Sequence, residues 1–313
     1  MELLALRWVL LAGTLLSMSA TSSAMCRGDL GPIKLRMDMA PQSFDDQYKG
    51  CEDKMEAALT ELNRTEFRSN KLYAATWKNA STEWQKRCRR RSDCPPLTQQ
   101  QAIAVLAYSA AGGMYKQFNE YTREGGSSRQ HYLKSYNFKV LHFLLTQAVQ
   151  ALRRSGPKKC YHVYRGVRGI NFTAEIGKEV RFGQFTSTSL QKDAAKEFGK
   201  DTFFDVTTCY GVRIKKLSYY EDEDEVLIPP FEVFQVTNFT IISGRPQIQL
   251  RSKGAHSTYN CEYVKRRGGQ WGWGHQEVGL GLSPGLALHS LPCPRPVSNG
   301  WGHREDGPIP AAL

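Results

Sequence analysis

A change of hydrophobic period near the middle of the chain constrains the fold most strongly. Before Ser155-Gly156-Pro157 the apolar residues recur at helical spacing, and after it they alternate at the two-residue spacing of strands. When helices and strands are segregated along a chain, the helices collect on one side or end of an antiparallel sheet. The sequence therefore predicts an α+β fold with a mainly antiparallel sheet.

Local patterns place the individual elements. Thr98 and Gln101 form a capping-box pattern, which predicts that a helix begins there. The other predicted helices are 45–67, 138–154 and the short 191–198. The predicted strands are 161–167, 180–186, 202–209, 212–219, 225–228 and 231–242.

Both ends of the chain are interpreted as lying outside the folded domain. Arg7, a short apolar stretch and small residues up to Ala24 resemble a secretory signal, with Ala20 as a second cleavage site and a buried helix as the alternative. Residues 268–313 contain ten Gly and six Pro, and they lack the terminal hydrophobic run of a GPI signal. The basic residues 265–267 are either a processing site or a solvated turn. The expected organisation is a signal at 1–24, an extension at 25–40, a folded domain at 41–263 and a tail at 264–313.

Cysteines and glycosylation motifs favour an exported protein. The chain has eight cysteines, an even number, and four Asn-x-Ser/Thr sequons. Because no two cysteines have Cys-x-x-Cys spacing, disulfides are expected rather than a metal site, and their connectivity stays open. No apolar run is long enough to span a bilayer. We expect a protein that is secreted or stored in granules, without a GPI anchor.

The net charge favours anionic ligands. Lys and Arg number 42 against 30 Asp and Glu, a formal charge of +12. A soluble secreted protein that happens to be basic is the plainer interpretation. The basic run at residues 86–91 could bind nucleic acid or heparin, but no aromatic residues are interleaved with it, so an exposed loop is favoured and no nucleic-acid partner is expected. Neither a dinucleotide-binding G-x-G-x-x-G after a strand nor a P-loop is present.

Five consecutive acidic residues, 221–225, are unusual in so basic a chain. A solvated acidic loop is one interpretation. The alternative is functional, because in an extended chain Glu223 and Glu225 would project to one side, roughly 6–7 Å apart. Two carboxylates at that distance repel, so one should hold its proton more tightly and become usable as a base near neutral pH.

Two further features lie on predicted strands. Arg165 stands inside a strand, where it must either pair with a core carboxylate or bind an anion such as phosphate. The segment 182–189 brings clustered hydroxyls, Ser187 among them, to the end of another strand. Thr188 with Gln191 is alternatively a cap for the next helix.

Together these residues resemble the R-S-E signature of the arginine-specific mono-ADP-ribosyltransferases, the vertebrate ecto-enzyme family. Arg165, Ser187 and Glu223-x-Glu225 occur in the order of that signature. The resemblance extends to the strings at 43–48, 182–185 and 225–230 and covers residues from about 37 to 261, with the secreted avian enzymes as the nearest members. It implies an ADP-ribosyltransferase catalytic domain at 41–263 whose core is an antiparallel β-sandwich.

The resemblance also implies roles for single residues. Glu225 would stabilise an oxocarbenium-like transition state, and Glu223 would orient the acceptor guanidinium and help it lose a proton. Arg165 would hold NAD and Ser187 would position Glu225. With the Gly166 backbone near the carboxamide, the implied NAD pocket consists of Tyr108, Arg165, Gly166, Gln184 and Ser218.

The implied activity is transfer of ADP-ribose from NAD or NADP to arginine. The nucleotide is then a substrate, and no metal or permanently bound cofactor is implied. Expected partners are arginine-bearing proteins or small acceptors such as agmatine, and a monomer is expected. The implied disulfides are Cys51–Cys261 and Cys160–Cys209, and a local Cys88–Cys94 bridge stays open. A secreted NAD glycohydrolase and an inactive basic binding protein remain as alternatives.

Overall fold

The computed structural model describes residues 31–88, 94–157 and 159–265, and the following account concerns those residues. The predicted signal at 1–24 and most of the predicted tail lie outside them. The helices are α1 Glu52–Ser69, α2 Lys71–Arg87, α3 Gln99–Ser109, α4 Met114–Glu124, α5 Arg129–Ser135, α6 Lys139–Ser155 and α7 Lys192–Glu197. The strands are β1 Ile33–Arg36, β2 Tyr161–Val167, β3 Ile170–Thr173, β4 Glu179–Val180, β5 Thr186–Ser189, β6 Thr202–Thr208, β7 Val212–Arg213, β8 Glu225–Ile228, β9 Glu232–Ile242 and β10 Arg245–Ala255.

Eight strands form one sheet in the order β4-β9-β10-β6-β2-β5-β8-β7. Within it only β10 and β6 run parallel, so the prediction of an α+β fold with a mainly antiparallel sheet is confirmed. β1 and β3 form a separate parallel pair. The large sheet is almost divided between β2 and β5, where Tyr164 and Ser189 are the single paired position among the described residues. Beyond that position the two strands leave room for side chains between them.

Strand β8 has both faces buried, and it therefore touches two hydrophobic cores. Leu227 packs into the helical core with Phe185, the residue just before β5. Val226 and Ile228 pack into a second core, which is formed with the long strands. This alternation follows from the two-residue period of a strand. It fixes the register of β8, because a slip of one residue would exchange the two faces.

An acidic pair near the start of the domain holds the end of the domain in place. The Asp45 carboxylate is buried, lies 2.5 Å from the Arg181 guanidinium and accepts the backbone N–H groups of Thr258 and Tyr259. Its neighbour Asp46 accepts the N–H groups of Cys261 and Glu262. The string at 43–48 is therefore structural in this fold.

Disulfides join the same distant segments. Cys51–Cys261, Cys160–Cys209 and Cys88–Cys94 are all formed. The two bridges implied by the resemblance are confirmed, and the one left open is present. Cys51–Cys261 closes a loop of 210 residues, and it lies beside the Asp46 contacts. In the chain-entropy model such a closure stabilises the fold by roughly 5 kcal/mol.

A buried carboxylate caps α6. Glu66 of α1 accepts the backbone N–H groups of Lys139 and Val140, at 2.7 and 3.2 Å. These are free donors of the first helical turn, so the carboxylate replaces a local N-cap. Burial raises the pKa of Glu66 to about 7, and the nearby Lys139 partly opposes this shift.

Several predicted boundaries were wrong. The helix predicted at 45–67 begins only at Glu52, because Asp45 and Asp46 are committed to long-range contacts. The strand predicted at 180–186 is two short strands, β4 and β5. The strand predicted at 212–219 ends at Arg213 and continues into a 3-10 turn, Lys215–Leu217. The sequence analysis missed α2, α4, α5, β1, β3 and β10, whereas 161–167 and 225–228 are confirmed as strands with those bounds.

No described helix is long and apolar enough to cross a membrane.

Arg181→Met tests the buried ion pair between Arg181 and Asp45. The substitution should lower the free energy of unfolding by about 3–5 kcal/mol, because it leaves a buried carboxylate without its charged partner. Urea denaturation measures the change. Arg245→Met is the matched control, since Arg245 is exposed and should change stability little. If the two variants unfold at the same urea concentration, the Asp45–Arg181 pair does not hold the domain together.

Candidate active site

Three strands bring the predicted triad into one place. Arg165 lies in β2, Ser187 in β5, and Glu225 is the first residue of β8. Ser189 pairs with Tyr164 on one side and with Glu225 on the other, so the three strands meet in one row. All three triad side chains are buried, and Arg165 Nη1 donates to the Ser187 carbonyl at 2.7 Å. Tyr164–Ser189 is the single pair of β2 with β5 among the described residues, and we call the space beside the three triad side chains the cleft.

Three polar atoms of the triad have no hydrogen-bond partner among the described residues. Both carboxylate oxygens of Glu225 and the Ser187 hydroxyl are buried and make no hydrogen bond within the described structure. The hydroxyls of Ser187 and Ser218 lie near enough to lower the pKa of Glu225, yet neither completes a bond of normal geometry. Buried polar groups are normally satisfied, so such a cluster indicates a place prepared for ligand hydroxyls.

Burial and the nearby opposite charge shift the pKa values of Glu225 and Arg165 in opposite directions. Burial raises the pKa of Glu225, and the Arg165 guanidinium opposes that shift. Burial likewise lowers the pKa of Arg165, and Glu225 is among the groups that oppose it. The two groups are thus close enough to stabilise each other's charged form, although no direct ion pair joins them within the described residues. A ligand that enters the cleft meets one negative and one positive side chain.

Helix α3 supplies Tyr108 to the floor of the cleft. Its hydroxyl donates to the Phe185 carbonyl at 2.9 Å and accepts from Asn119 of α4 at 3.2 Å. Burial raises the pKa of Tyr108 to about 12, so the hydroxyl stays a neutral donor. The structure thus brings Tyr108 to the triad, as the resemblance implied.

Ser218 lies on the way from the Lys215–Leu217 turn to the acidic run. It is fully buried, its hydroxyl accepts the N–H of Tyr220, and its carbonyl accepts from Arg87. Arg87 also pairs with Glu83 at 2.7 Å. Lys86 and Arg87 are the last two residues of α2, and Arg87 binds the Ser218 backbone. The interpretation of 86–91 as an exposed loop is therefore wrong at these two residues. Residues 89–91 lie outside the described part.

The acidic run is a turn, so its predicted extended conformation was wrong. Glu221–Glu223 form a 3-10 turn, and Asp224 has a left-handed backbone with φ of 49°. Contacts with neighbouring elements hold this shape. Ser189 Oγ donates to the Glu223 carbonyl at 2.5 Å, and the Asp224 carboxylate pairs with Arg213 and, at 3.6 Å, with Lys215.

Glu223 and Glu225 nevertheless influence each other. Glu223 is partly buried, and burial followed by repulsion from Glu225 raises its pKa to about 7. The sequence analysis expected one carboxyl of the pair to hold its proton more tightly, and this is confirmed. At neutral pH, Glu223 is therefore divided between its acidic and basic forms.

Gly166 and Gln184 are the two remaining residues of the predicted NAD pocket. A Cβ on Gly166 would lie 2.3 Å from the Ala195 carbonyl and 2.5 Å from that of Gly199, so only glycine lets α7 pack against β2. The Gln184 side chain accepts a hydrogen bond from Arg123 of α4. Arg123 and the buried Tyr115 of the same helix were missed, although Met114, Phe118 and Tyr121 recur at helical spacing and could have indicated α4.

Thr188 does not cap α7. Its hydroxyl donates to the Val226 carbonyl at 2.7 Å, and Ser189 Oγ accepts the N–H of Gln191 instead. Both hydroxyls therefore tie β5 to its surroundings and leave Ser187 as the hydroxyl that faces the cleft. No group of His, Cys, Asp and Glu within the described residues is arranged to hold a metal ion.

Comparison with known proteins agrees with this geometry. The family described as NAD:arginine ADP-ribosyltransferase matches residues 37–258. The chain belongs to this family. It is 64% identical over 313 residues to NAD(P)(+)--arginine ADP-ribosyltransferase 2 of Gallus gallus and 63% identical to enzyme 1 of that species, with 100% of each chain covered. A mutant of the eukaryotic mono-ADP-ribosyltransferase ART2.2, solved in complex with NAD, is 35% identical with a TM-score of 0.64 and is matched over 74% of this chain and 100% of its own.

Titration of Glu223 tests the coupling between the two glutamates. In protein labelled with ¹³C at glutamate, the Glu223 carboxyl should titrate near pH 7, and Glu225→Gln should lower that pKa because the repelling charge is removed. Glu221→Gln is the matched control, because Glu221 is exposed in the same turn. An ordinary pKa for Glu223, or one that Glu225→Gln leaves unchanged, would show that the two carboxyls are not coupled.

Proposed function

We propose that this protein transfers ADP-ribose from NAD to the guanidinium group of arginine and releases nicotinamide. One observation carries the proposal: the two oxygens of the buried Glu225 carboxylate and the Ser187 hydroxyl beside it bond to no group in the described part of the chain, and the buried Arg165 lies near them. Ribose hydroxyls fit the free oxygens, and a dinucleotide phosphate fits the cation. Membership of the family supports the same reaction.

Binding of NAD uses the neutral and cationic groups of the cleft. Arg165 is held by the Ser187 carbonyl, so its remaining N–H groups are oriented toward the phosphates or ribose of the dinucleotide. In this proposal Tyr108 and Ser218 form the floor of the NAD pocket. Gln184 lies at the entrance of the pocket, where its side chain is oriented by the hydrogen bond from Arg123. The Gly166 backbone holds the carboxamide in this proposal.

Cleavage of the nicotinamide bond places positive charge on the ribose. The electron pair of the C1′–N bond leaves with nicotinamide, which departs neutral, and C1′ becomes oxocarbenium-like. The Glu225 carboxylate, desolvated by burial, stabilises that charge and accepts a hydrogen bond from a ribose hydroxyl. Since the carboxylate is buried, its interaction with the forming cation is stronger than in solution.

Transfer to arginine requires removal of a proton from the acceptor. A free guanidinium keeps its proton well above neutral pH, so it becomes a nucleophile only beside a base. Glu223, with a pKa of about 7 and partial exposure at the mouth of the cleft, orients the guanidinium and accepts the proton as the C1′–N bond to arginine forms. A higher pKa makes Glu223 a stronger base than an ordinary carboxylate.

The proposed substrates are NAD or NADP as donor and arginine side chains or agmatine as acceptor. The protein acts as a monomer in this proposal, since the described residues of one chain supply the whole cleft. We further propose that it works after secretion. Three disulfides support an oxidising compartment.

Glu225→Gln should abolish both NAD cleavage and transfer. The neutral amide cannot offset a forming positive charge, and loss of one such group lowers kcat about 100- to 1000-fold. Nicotinamide release and labelled agmatine, measured together from labelled NAD, report the two activities. Glu221→Gln, exposed in the same turn, should retain both. Near-normal turnover of the Glu225 variant would exclude its role.

Glu223→Gln should retain NAD hydrolysis and lose transfer to agmatine. The amide cannot accept the guanidinium proton, whereas cleavage of the nicotinamide bond depends on Glu225. In the unmodified protein, transfer should rise with pH through about 7 as Glu223 ionises, and this rise should be absent from hydrolysis. Equal loss of both activities in the variant would contradict the assignment. If the unmodified protein releases nicotinamide without labelling agmatine, it is a glycohydrolase.

A further inference from the structure

A large basic cavity lies apart from the catalytic residues. Its volume is about 1460 Å³, and none of Arg165, Ser187 and Glu225 lines it. The C-terminal end of α6, the Cys160–Cys209 disulfide and β7 with the turn after it form its described walls. Its charged lining residues are the cations Lys49, Arg153, Arg154, Lys159, Arg213, Lys215 and Lys216 and the single acid Glu52.

Most of these cations have no acidic partner among the described residues. Arg213 and Lys215 pair with Asp224 of the catalytic turn. The other five, including Lys159 and Lys216, make no ion pair within the described structure and lie at exposed positions. Several uncompensated positive charges around one concave surface raise the local concentration of anions.

One of the cations is held in position in advance. The Arg153 guanidinium lies 3.8 Å from the centre of the Tyr210 ring. The backbone there is fixed, because the Cys209 and Tyr210 N–H groups donate to the buried Glu232 carboxylate and Cys209 is bonded to Cys160. Stacking leaves the N–H edges of the guanidinium free for an anion. A pre-oriented arginine loses less entropy when it binds.

We propose that this cavity binds a sulfated polysaccharide. Its volume far exceeds that of one small anion, and its cations are distributed over several walls, so they suit a chain with repeated sulfate groups. The disulfides support an extracellular setting, where such chains occur. Nucleic acid suits the site less well, because each lining tyrosine already carries a cation over its ring: Arg153 lies over Tyr210, and Lys159 lies over Tyr161.

Titration with a short heparin oligosaccharide tests the proposal on the full chain. The triple variant Arg153→Gln, Lys159→Gln, Lys216→Gln should weaken binding at least tenfold and make the affinity less dependent on salt, because fewer counterions are displaced. The matched control, Lys34→Gln, Lys178→Gln, Arg245→Gln, removes the same charge at exposed positions outside the cavity and should bind as the unmodified protein does. Both variants should keep the melting temperature and the rate of nicotinamide release.

Three results would overturn the proposal. Equal weakening in the two triple variants would mean attraction by net charge alone. Displacement of heparin by saturating NAD would place the anion in the catalytic cleft. Single-stranded DNA of equal charge that binds as tightly as heparin, and is weakened by the same triple variant, would identify a site for nucleic acid. None of these results depends on whether the catalytic proposal is correct.

Discussion

Burial of the Glu225 carboxylate without a hydrogen-bond partner in the described residues 31–88, 94–157 and 159–265 is the constraint on which the rest of the site depends. Removing an ionised group from water is costly, and the protein reduces that cost by raising the pKa and by placing the Arg165 guanidinium nearby. If protein groups donated hydrogen bonds to both oxygens, the carboxylate would be stable but could not bind a ligand. The site instead leaves both carboxylate oxygens unbonded among the described residues, while the Tyr164–Ser189 pair holds the neighbouring strands together in the same row.

The rest of the fold keeps that incomplete site in shape. Asp45 and Asp46 bind the segment that ends the domain, and Cys51–Cys261 adds a covalent link at the same place. On the other side, Ser189 and the Arg213–Asp224 ion pair hold the turn that carries Glu223. The long-range contacts allow a strained turn and an unsatisfied carboxylate to persist, since the stability they cost is supplied elsewhere in the molecule.

Sequence reasoning succeeded where local patterns coincide with tertiary roles. Strands β2 and β8 were predicted with their observed bounds, because alternation and β-branched residues mark them clearly. It failed where long-range contacts override local preference: residues 45–51 are not helical because the two aspartates are engaged elsewhere, and 214–219 leave the strand for a 3-10 turn at Lys215–Leu217. Glu223 and Glu225 were paired correctly, but for the wrong geometric reason, since a left-handed Asp224 separates them.

The sequence by itself determined the α+β class, the order of the triad along the chain and, through resemblance to a family, its chemistry. Only the tertiary structure decided that the triad is buried, that Glu225 has no hydrogen-bond partner among the described residues and that Glu223 is only partly buried. Those properties depend on what surrounds a side chain in space, and the surrounding groups come from α3, β2, β5 and the turn before β8. The basic cavity is also a tertiary property, because its cations are scattered from Lys49 to Lys216 and form no run in the sequence.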